Sequence, residues 1–549
     1  MDAARLALSR SIAAAAAAAM LVSCTRATQG TGAPGPAAPK THRLTFADGS
    51  GDLPTLNPHL YTGSALGYVA ELTQAYLVKY DANNQPYPEL VTQVPTQANG
   101  GISKDGTVIT WHLRKGVRWS DGAPFDADDV VFSTNAVNNP ANNEVGRDGW
   151  DLITKIDEPD KYTVVYHLKH PYAGYEPSFF GSAGANPTVL PKHILGGLPN
   201  INTAPYNAKP VGIGPFRIVA WNRGESVELE ANPYYFRGVP KIEHITYKIV
   251  PNRDTLVTLM QTGDVRLWPE VPASYIPRVT SIQTMNSDVV LTPIYTHIDF
   301  NVTRPIVSDI RVRQAIRYAI DRQSLVDKVI RGYGLVQEST ESPVVPIAPK
   351  DIPLTPYDPG KAKALLDAAG WKVGPDGIRV KNGQRLSLSF PYYIGSSAAD
   401  DTVEFLRAAL KDVGIELATR QYSVAQFFAP FQQNGIVYGG KWDMTCFGWQ
   451  ADPVGQISNI WECNEIPPNG QNVTRFCNAQ LDALLEKFKA TYDVGEHRKL
   501  LAQEEKIIVA NVPTIVLYVW KESHAYAKDL TGWRPGTWTP FDDFGNADI

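Results

Sequence analysis

Apolar positions along the chain recur with two periods. In RLTFAD (43–48), TVITWHL (107–113), YTVVYHL (162–168), SVELEA (226–231), HITYKIV (244–250), LSLSF (386–390) and TIVLYVW (514–520), β-branched and aromatic residues alternate or cluster, as a pleated strand with one face in a core requires. Other stretches follow the helical period. Asp358 is placed to cap a helix opened by Pro359; Ala362, Leu365, Leu366 and Ala369 line its inner face, and Gly370 stops it. Val312, Ala315, Ile316, Ala319 and Ile320 repeat the pattern after Ser308-Asp309, and Leu481, Leu484, Leu485 and Phe488 repeat it over 480–490. These stripes read as core faces. Strands and helices mix throughout, with no repeat of roughly 20 to 50 residues, so an α/β fold is expected and not a solenoid or propeller.

Length adds a second consideration. A chain of 549 residues is too long for one small core and suggests roughly two or three folded units. Hydrophobic residues make up 43%, charged residues 19%, and there are 12 Trp and 25 Tyr, a composition that folds. Net charge is -5 with scattered basic residues, which excludes nucleic acid as a partner.

The N-terminus reads as an export signal. Arg5 and Arg10 precede or flank an apolar Ala-rich run, Ile12 to Val22, too short to span a membrane and suited to the core of a signal peptide over 1–23. The run ends in Leu21-Val22-Ser23-Cys24, which resembles the lipobox of bacterial lipoproteins and implies a lipid on Cys24. The Gly-, Pro- and Ala-rich stretch TRATQGTGAPGPAAPK to residue 40 then reads as a flexible tether. Cys446, Cys463 and Cys477 remain, and an oxidising envelope allows one bridge. Cys463 and Cys477 bracket NEIPPNGQNVTRF, a loop with little apolar content, whose closure could contribute about 3 kcal/mol. They are expected to pair, leaving Cys446 free and buried.

No enzyme signature is found: nucleophile elbow, P-loop, dinucleotide fingerprint and zincin helix are all missing. Gly212-Ile-Gly214-Pro-Phe is half a glycine motif and reads as a tight turn. His167 and His170 in HLKH lie at the end of a strand-like run, where their spacing does not converge on a metal. Asp126, Asp128 and Asp129 suit a capped helix start. Neither a metal nor a cofactor is expected.

Several segments together resemble the extracytoplasmic solute-binding proteins of family 5, receptors of ABC importers for peptides, dipeptides and nickel. The most specific is WHLRKGVRWSDGAPFDADDV (111–130), beside LNPHLYTG (56–63), PVGIGPFRIVAW (210–221), ANPYYFRGVPKIEHITYKIVP (231–251), SDIRVRQAIRYAIDR (308–322), YDPGKAKALLDAAGW (357–371) and FGWQAD (447–452). The resemblance implies a class II periplasmic-binding-protein-like fold of two lobes around a cleft. Lobe I would take 41–292 and 516–549, with 86–207 as an extra subdomain, and lobe II 293–515.

It also implies a site. In peptide-binding members the acid of the Gly-Trp-x-Ala-Asp stretch pairs with the ligand's N-terminal ammonium; here that stretch is Gly448-Trp449-Gln450-Ala451-Asp452. The alternative for Asp452 is a strand-end acid bonded to nearby backbone amides, and Trp449 could be core or cleft wall. Backbone at Gly63 and Ser64 would line the pocket. The chain departs from many relatives by continuing directly to Pro453-Val-Gly-Gln, and no Arg or Lys is assigned to a ligand carboxylate. The implied function is capture of a peptide or similar small solute by hinge closure and delivery to an ABC permease. The receptor would be a monomer, extracytoplasmic and lipid-anchored to the bacterial membrane. Rivals are a receptor for an oligosaccharide or nickel chelate, and an envelope hydrolase or regulatory lipoprotein on the same fold.

Overall fold

The runs that alternate in sequence pair as strands. Arg43–Phe46, Phe216–Asn222, Ser226–Ala231, His244–Lys248, Leu267–Val271, Met285–Phe300, Met444–Gln450 and Thr514–Ala527 join the short Gly334–Leu335 in one nine-stranded mixed sheet. These come from a computed structural model that describes residues 42–549 other than 82, 148, 183–186, 395–396 and 539. The expected signal peptide, Cys24 and the tether lie outside the described residues.

The two longest strands tie the molecule together. Met285–Phe300 runs antiparallel to Thr514–Ala527 from the pair Met285↔Ala527 to the pair Asp299↔Thr514, with register shifts between Leu291 and Tyr295 and between Thr296 and His297. One end of this ribbon packs into a core with Leu44, Phe46, Leu66, Tyr247, Trp268, Ala525 and Phe541. The other end packs into a second core with Ile298, Phe300, Ile316, Leu366, Phe390, Leu406, Ile515 and Leu517. In the returning strand the change of core falls between Tyr518 and Ala525. A third core, holding Trp111, Trp119, Phe125, Trp150 and Tyr166, belongs to residues 75–213.

Local chemistry accounts for the helix ends. Asp358 Oδ1 accepts from Lys361 N at 2.8 Å ahead of Pro359–Ala368, whose Ala362 and Leu366 are buried. Asp309 caps Ile310–Ala319, and Asn478 caps Ala479–Lys489, with Leu481, Leu485 and Phe488 inward. Asp126 and Asp129 form a reciprocal capping box on Ala127–Asn138, and Asp129 Oδ2 also accepts from the buried Trp119 indole at 3.0 Å. In the WSDGAPF turn Gly122 sits at φ 91, a conformation that a Cβ would oppose.

The Gly212-Ile-Gly214 stretch is a close backbone contact. A Cβ on Gly212 would stand 1.9 Å from the Thr73 carbonyl oxygen, and one on Gly214 2.6 Å from the Thr73 carbonyl carbon. Cys463 and Cys477 are bridged, with Cα atoms 4.7 Å apart. Cys446 is free and buried, and burial pushes its thiol up to about 12. His167 Nε2 lies 2.8 Å from Asp157, while His170 Nδ1 lies 3.0 Å from the Pro171 carbonyl, so the two rings serve separate local contacts. Among the described residues no helix is long and apolar enough to cross a membrane.

Candidate functional site

The register of the crossing ribbon breaks between Leu291 and Tyr295, and a cavity of about 410 Å³ opens there. Thr292, Pro293 and Ile294 form its floor at the point where the chain passes between cores, and Gln450, at the end of Met444–Gln450, borders it. The start of helix Ser64–Thr73 forms the opposite wall, with Tyr61, Thr62, Gly63 and Ser64 exposed. Gly63, at φ 172, precedes the helix in extended backbone and offers no side-chain cap. The cavity therefore has walls from both ends of the ribbon.

Three acids line it, each from a different element. Glu71 is the one charged residue of the apolar helix SALGYVAELT. Its Oε2 accepts from Phe541 N at 2.8 Å, yet burial pushes its carboxyl up to about 8, with Lys79 opposing and Asp542 and Glu270 adding. Glu270 sits in a β-bulge of Leu267–Val271, where register is lost between Trp268 and Val271, and is held at φ 56. Burial raises its pKa, and Asp48 adds to the rise. Glu522, on Thr514–Ala527, is raised well above the carboxylate range by burial and by Glu270. Glu270 and Glu522 are half-buried by surface area and line the cavity, so part of each carboxyl stays in reach of solvent, which moderates the effect of burial. Among the described residues no ion pair is made by any of the three, and neighbouring Lys79 is held by Asp542 at 3.0 Å.

His524 completes this wall. Only 1% exposed, it accepts the Glu270 backbone N–H at Nδ1, 3.4 Å away, and burial lowers its pKa to about 4 against the pull of Asp288. The ring is neutral at pH 7 with its proton on Nε2, and that N–H has no hydrogen-bond partner. Beside Glu270, the buried Tyr68 hydroxyl is pushed well above its ordinary pKa by burial and that neighbour's charge, without a hydrogen bond of good geometry.

Residues 85–465 match the family model described as bacterial extracellular solute-binding proteins, family 5 Middle. This chain belongs to that family. Among its relatives, the oligopeptide-binding protein AppA of Bacillus subtilis (strain 168) is 29% identical over 491 residues, 88% of this chain and 87% of that one. The glutathione-binding protein GsiB of Salmonella paratyphi A is 29% identical over 453 residues, 80% and 84% of the two chains. The structure of Bacillus subtilis AppA in complex with a nonapeptide superimposes with a TM-score of 0.76 at 26% identity, covering 92% of this chain and 98% of that one. NikZ of Campylobacter jejuni in complex with Ni(L-His) shares the fold, with a TM-score of 0.77 at 24% identity and coverage of 93% and 100%. The architecture is thus the two-lobe α/β fold of family-5 proteins.

Within this family-5 chain the residues expected at the site divide. Gly63, Ser64 and Gln450 meet around the large cavity. Gly448 and Trp449 are half-buried and Ala451 is buried, its N–H donating to the Pro293 carbonyl at 3.0 Å. Trp449 packs beside Tyr295 and Phe447 and lines a void of about 20 Å³ with His297 and Trp461. Asp452 is half-buried in the turn that follows, where its Oδ1 accepts from Val454 N at 2.9 Å and Gln456 N at 3.1 Å. It does not border the cavity that Gly63 and Ser64 line. Residue 84 touches the same turn: Asn84 Nδ2 donates to the Pro453 carbonyl at 3.3 Å.

Glu71, Glu270, Glu522 and His524 were not picked out by sequence reasoning. Two signals pointed to them: a lone acid in an otherwise apolar helix, and Glu522 with His524 at the two-residue spacing that shares one strand face. Glu270 carries no such signal, because its position depends on the bulge.

Proposed function

We propose that this chain is the substrate-binding subunit of an ABC importer and that its solute is a peptide. The observation that carries this reading is the cavity at the break in the crossing ribbon, walled by residues from both ends of that ribbon, in a chain whose relatives include oligopeptide- and glutathione-binding proteins. A ligand held there is buried by rotation of the lobes about two strands, Met285–Phe300 and Thr514–Ala527, and the closed form docks on the permease. No bond is made or broken, so the chain acts as a receptor and not as an enzyme. Lipid on Cys24 holds this monomer at the outer face of the bacterial membrane, near its permease.

In this reading Asp452, which stands in the turn beyond Gln450 and outside the cavity, meets the peptide's ammonium when the lobes close. Two backbone N–H groups on Oδ1 fix the carboxylate in place, and a desolvated ammonium needs such a fixed partner. The Gly448 to Ala451 strand end carries Asp452, and backbone at Gly63 and Ser64 faces the peptide main chain. Calorimetry of a soluble form beginning after Cys24 tests this: free peptides should bind, their N-acetylated forms should bind less tightly, and Asp452→Asn should remove the difference, about 3 kcal/mol. Equal affinity of free and acetylated peptides would show that Asp452 does not meet the ammonium.

A further inference from the structure

We propose that Glu71, Glu270, Glu522 and His524 form a subsite for an organic cation, the guanidinium or ammonium of a basic peptide side chain. This deepens the peptide-receptor reading and rests on it. Three carboxyl groups from three separate elements converge on one cavity, and among the described residues none is ion-paired within the protein. Like charges crowded in confined space repel, and burial penalises each ionised form. A bound cation removes both costs at once, since it supplies the missing partner to carboxylates that are otherwise driven toward protonation.

The unpartnered Nε2–H of His524 is the second observation. A buried donor left without an acceptor is unfavourable, and here it belongs to a ring that lines the same cavity. Its other nitrogen is already used by the Glu270 N–H, so the tautomer is set with the proton on Nε2. The ligand group that suits this wall has several N–H donors for the carboxylates. The φ of 56 at Glu270 is sparsely populated by residues other than Gly, Asn and Asp, and such backbone strain recurs at binding sites.

Spacing separates an organic cation from a metal ion. Among the described residues the only group whose ligand atoms all lie within 4.8 Å of one another is Cys463, Cys477 and Asp482, whose cysteines are bridged. The four residues of the cavity wall are more widely spread than one ion's coordination shell. A guanidinium or ammonium on a flexible stem spans such a space, and a cavity of about 410 Å³ has room for it.

The test is calorimetry on the soluble chain with tripeptides carrying Arg at each position in turn, matched by citrulline peptides of equal shape without the charge. Putrescine serves as a free-amine arm. At one position or more, the Arg peptide should bind at least tenfold tighter than its citrulline counterpart, and Glu522→Gln and Glu71→Gln should each bring that ratio toward one. Both variants are checked for a native melting transition, and since the ratio is internal to each protein, a general loss of affinity does not imitate the effect. Peptides that bind with no Arg preference at any position overturn the subsite while leaving the peptide-receptor reading intact. Putrescine binding without peptide binding overturns the peptide reading and supports the cation subsite; binding of neither probe class overturns both.

Discussion

The backbone N–H of Glu270 donates to Nδ1 of His524 at 3.4 Å, joining a bulged strand to the crossing ribbon and fixing which imidazole nitrogen carries the proton. The donor residue is held at φ 56, where a Cβ is disfavoured. Glu270→Gly relieves that backbone and Glu270→Gln does not, although both remove the charge. The Gly variant should therefore be the more stable by about 1 kcal/mol, the αL penalty less the extra chain entropy of glycine. Denaturant titration of the two variants reads this, and equal midpoints would mean that the bulge is not strained.

The acids of the cleft give stability a definite pH dependence. Glu71 has a folded pKa of about 8 against 4.5 for the free side chain, so the folded state binds its proton more tightly than the unfolded state. Its contribution is fully present below about pH 4.5 and is lost as pH rises through 8. Lys79, Asp542, Glu270 and the Phe541 N–H face this carboxyl, and the first and last moderate the shift. His524 runs the other way: lowered from 6.5 to about 4, it stabilises above 6.5 and loses that contribution only as pH falls through 4. Between pH 6.5 and 8.5, unligated protein should lose stability as pH rises, and Glu71→Gln should flatten the slope. A wild-type slope that is flat or positive in chemical denaturation would contradict the burial of Glu71 in its protonated form.

Closing the loop between Cys463 and Cys477, 14 residues apart in sequence, should stabilise the fold by about 3 kcal/mol in the chain-entropy model. The double variant Cys463→Ser, Cys477→Ser should show that loss in its denaturation midpoint. Cys446, buried with its thiol pushed up to about 12, should resist alkylation in native protein at pH 8 and react on unfolding. Fast modification of the native state would place that residue at the surface.

Gly212 lies against the end of helix Ser64–Thr73, with only 1.9 Å between its would-be Cβ and the Thr73 carbonyl oxygen. Gly212→Ala must push backbone away from backbone, which should cost about 1–3 kcal/mol. Gly224, with nothing near its would-be Cβ but a φ of 74, separates steric from conformational effects: Gly224→Ala should cost only the left-handed penalty, about 1–2 kcal/mol.

Local order is legible in the order of residues. The caps Asp126, Asp309, Asp358 and Asn478, the inward stripes such as Leu481, Leu485 and Phe488, and the alternation of Thr514–Ala527 depend on neighbours within a few residues. The likeness of residues 111–130 to a family pattern carried the fold, because that turn and its capping box serve the third core. By itself, then, the sequence determined the elements, the family and the bridged cysteines. Tertiary structure alone decided where the cleft chemistry lies. Glu71, Glu270 and Glu522 are separated by long stretches of chain, and no local signal says that they meet; the bulge at Glu270 and the register break at Leu291 bring them to one cavity. Periodicity encodes which face of an element is buried; it does not encode which distant faces meet, because that depends on the packing of whole sheets and helices against each other.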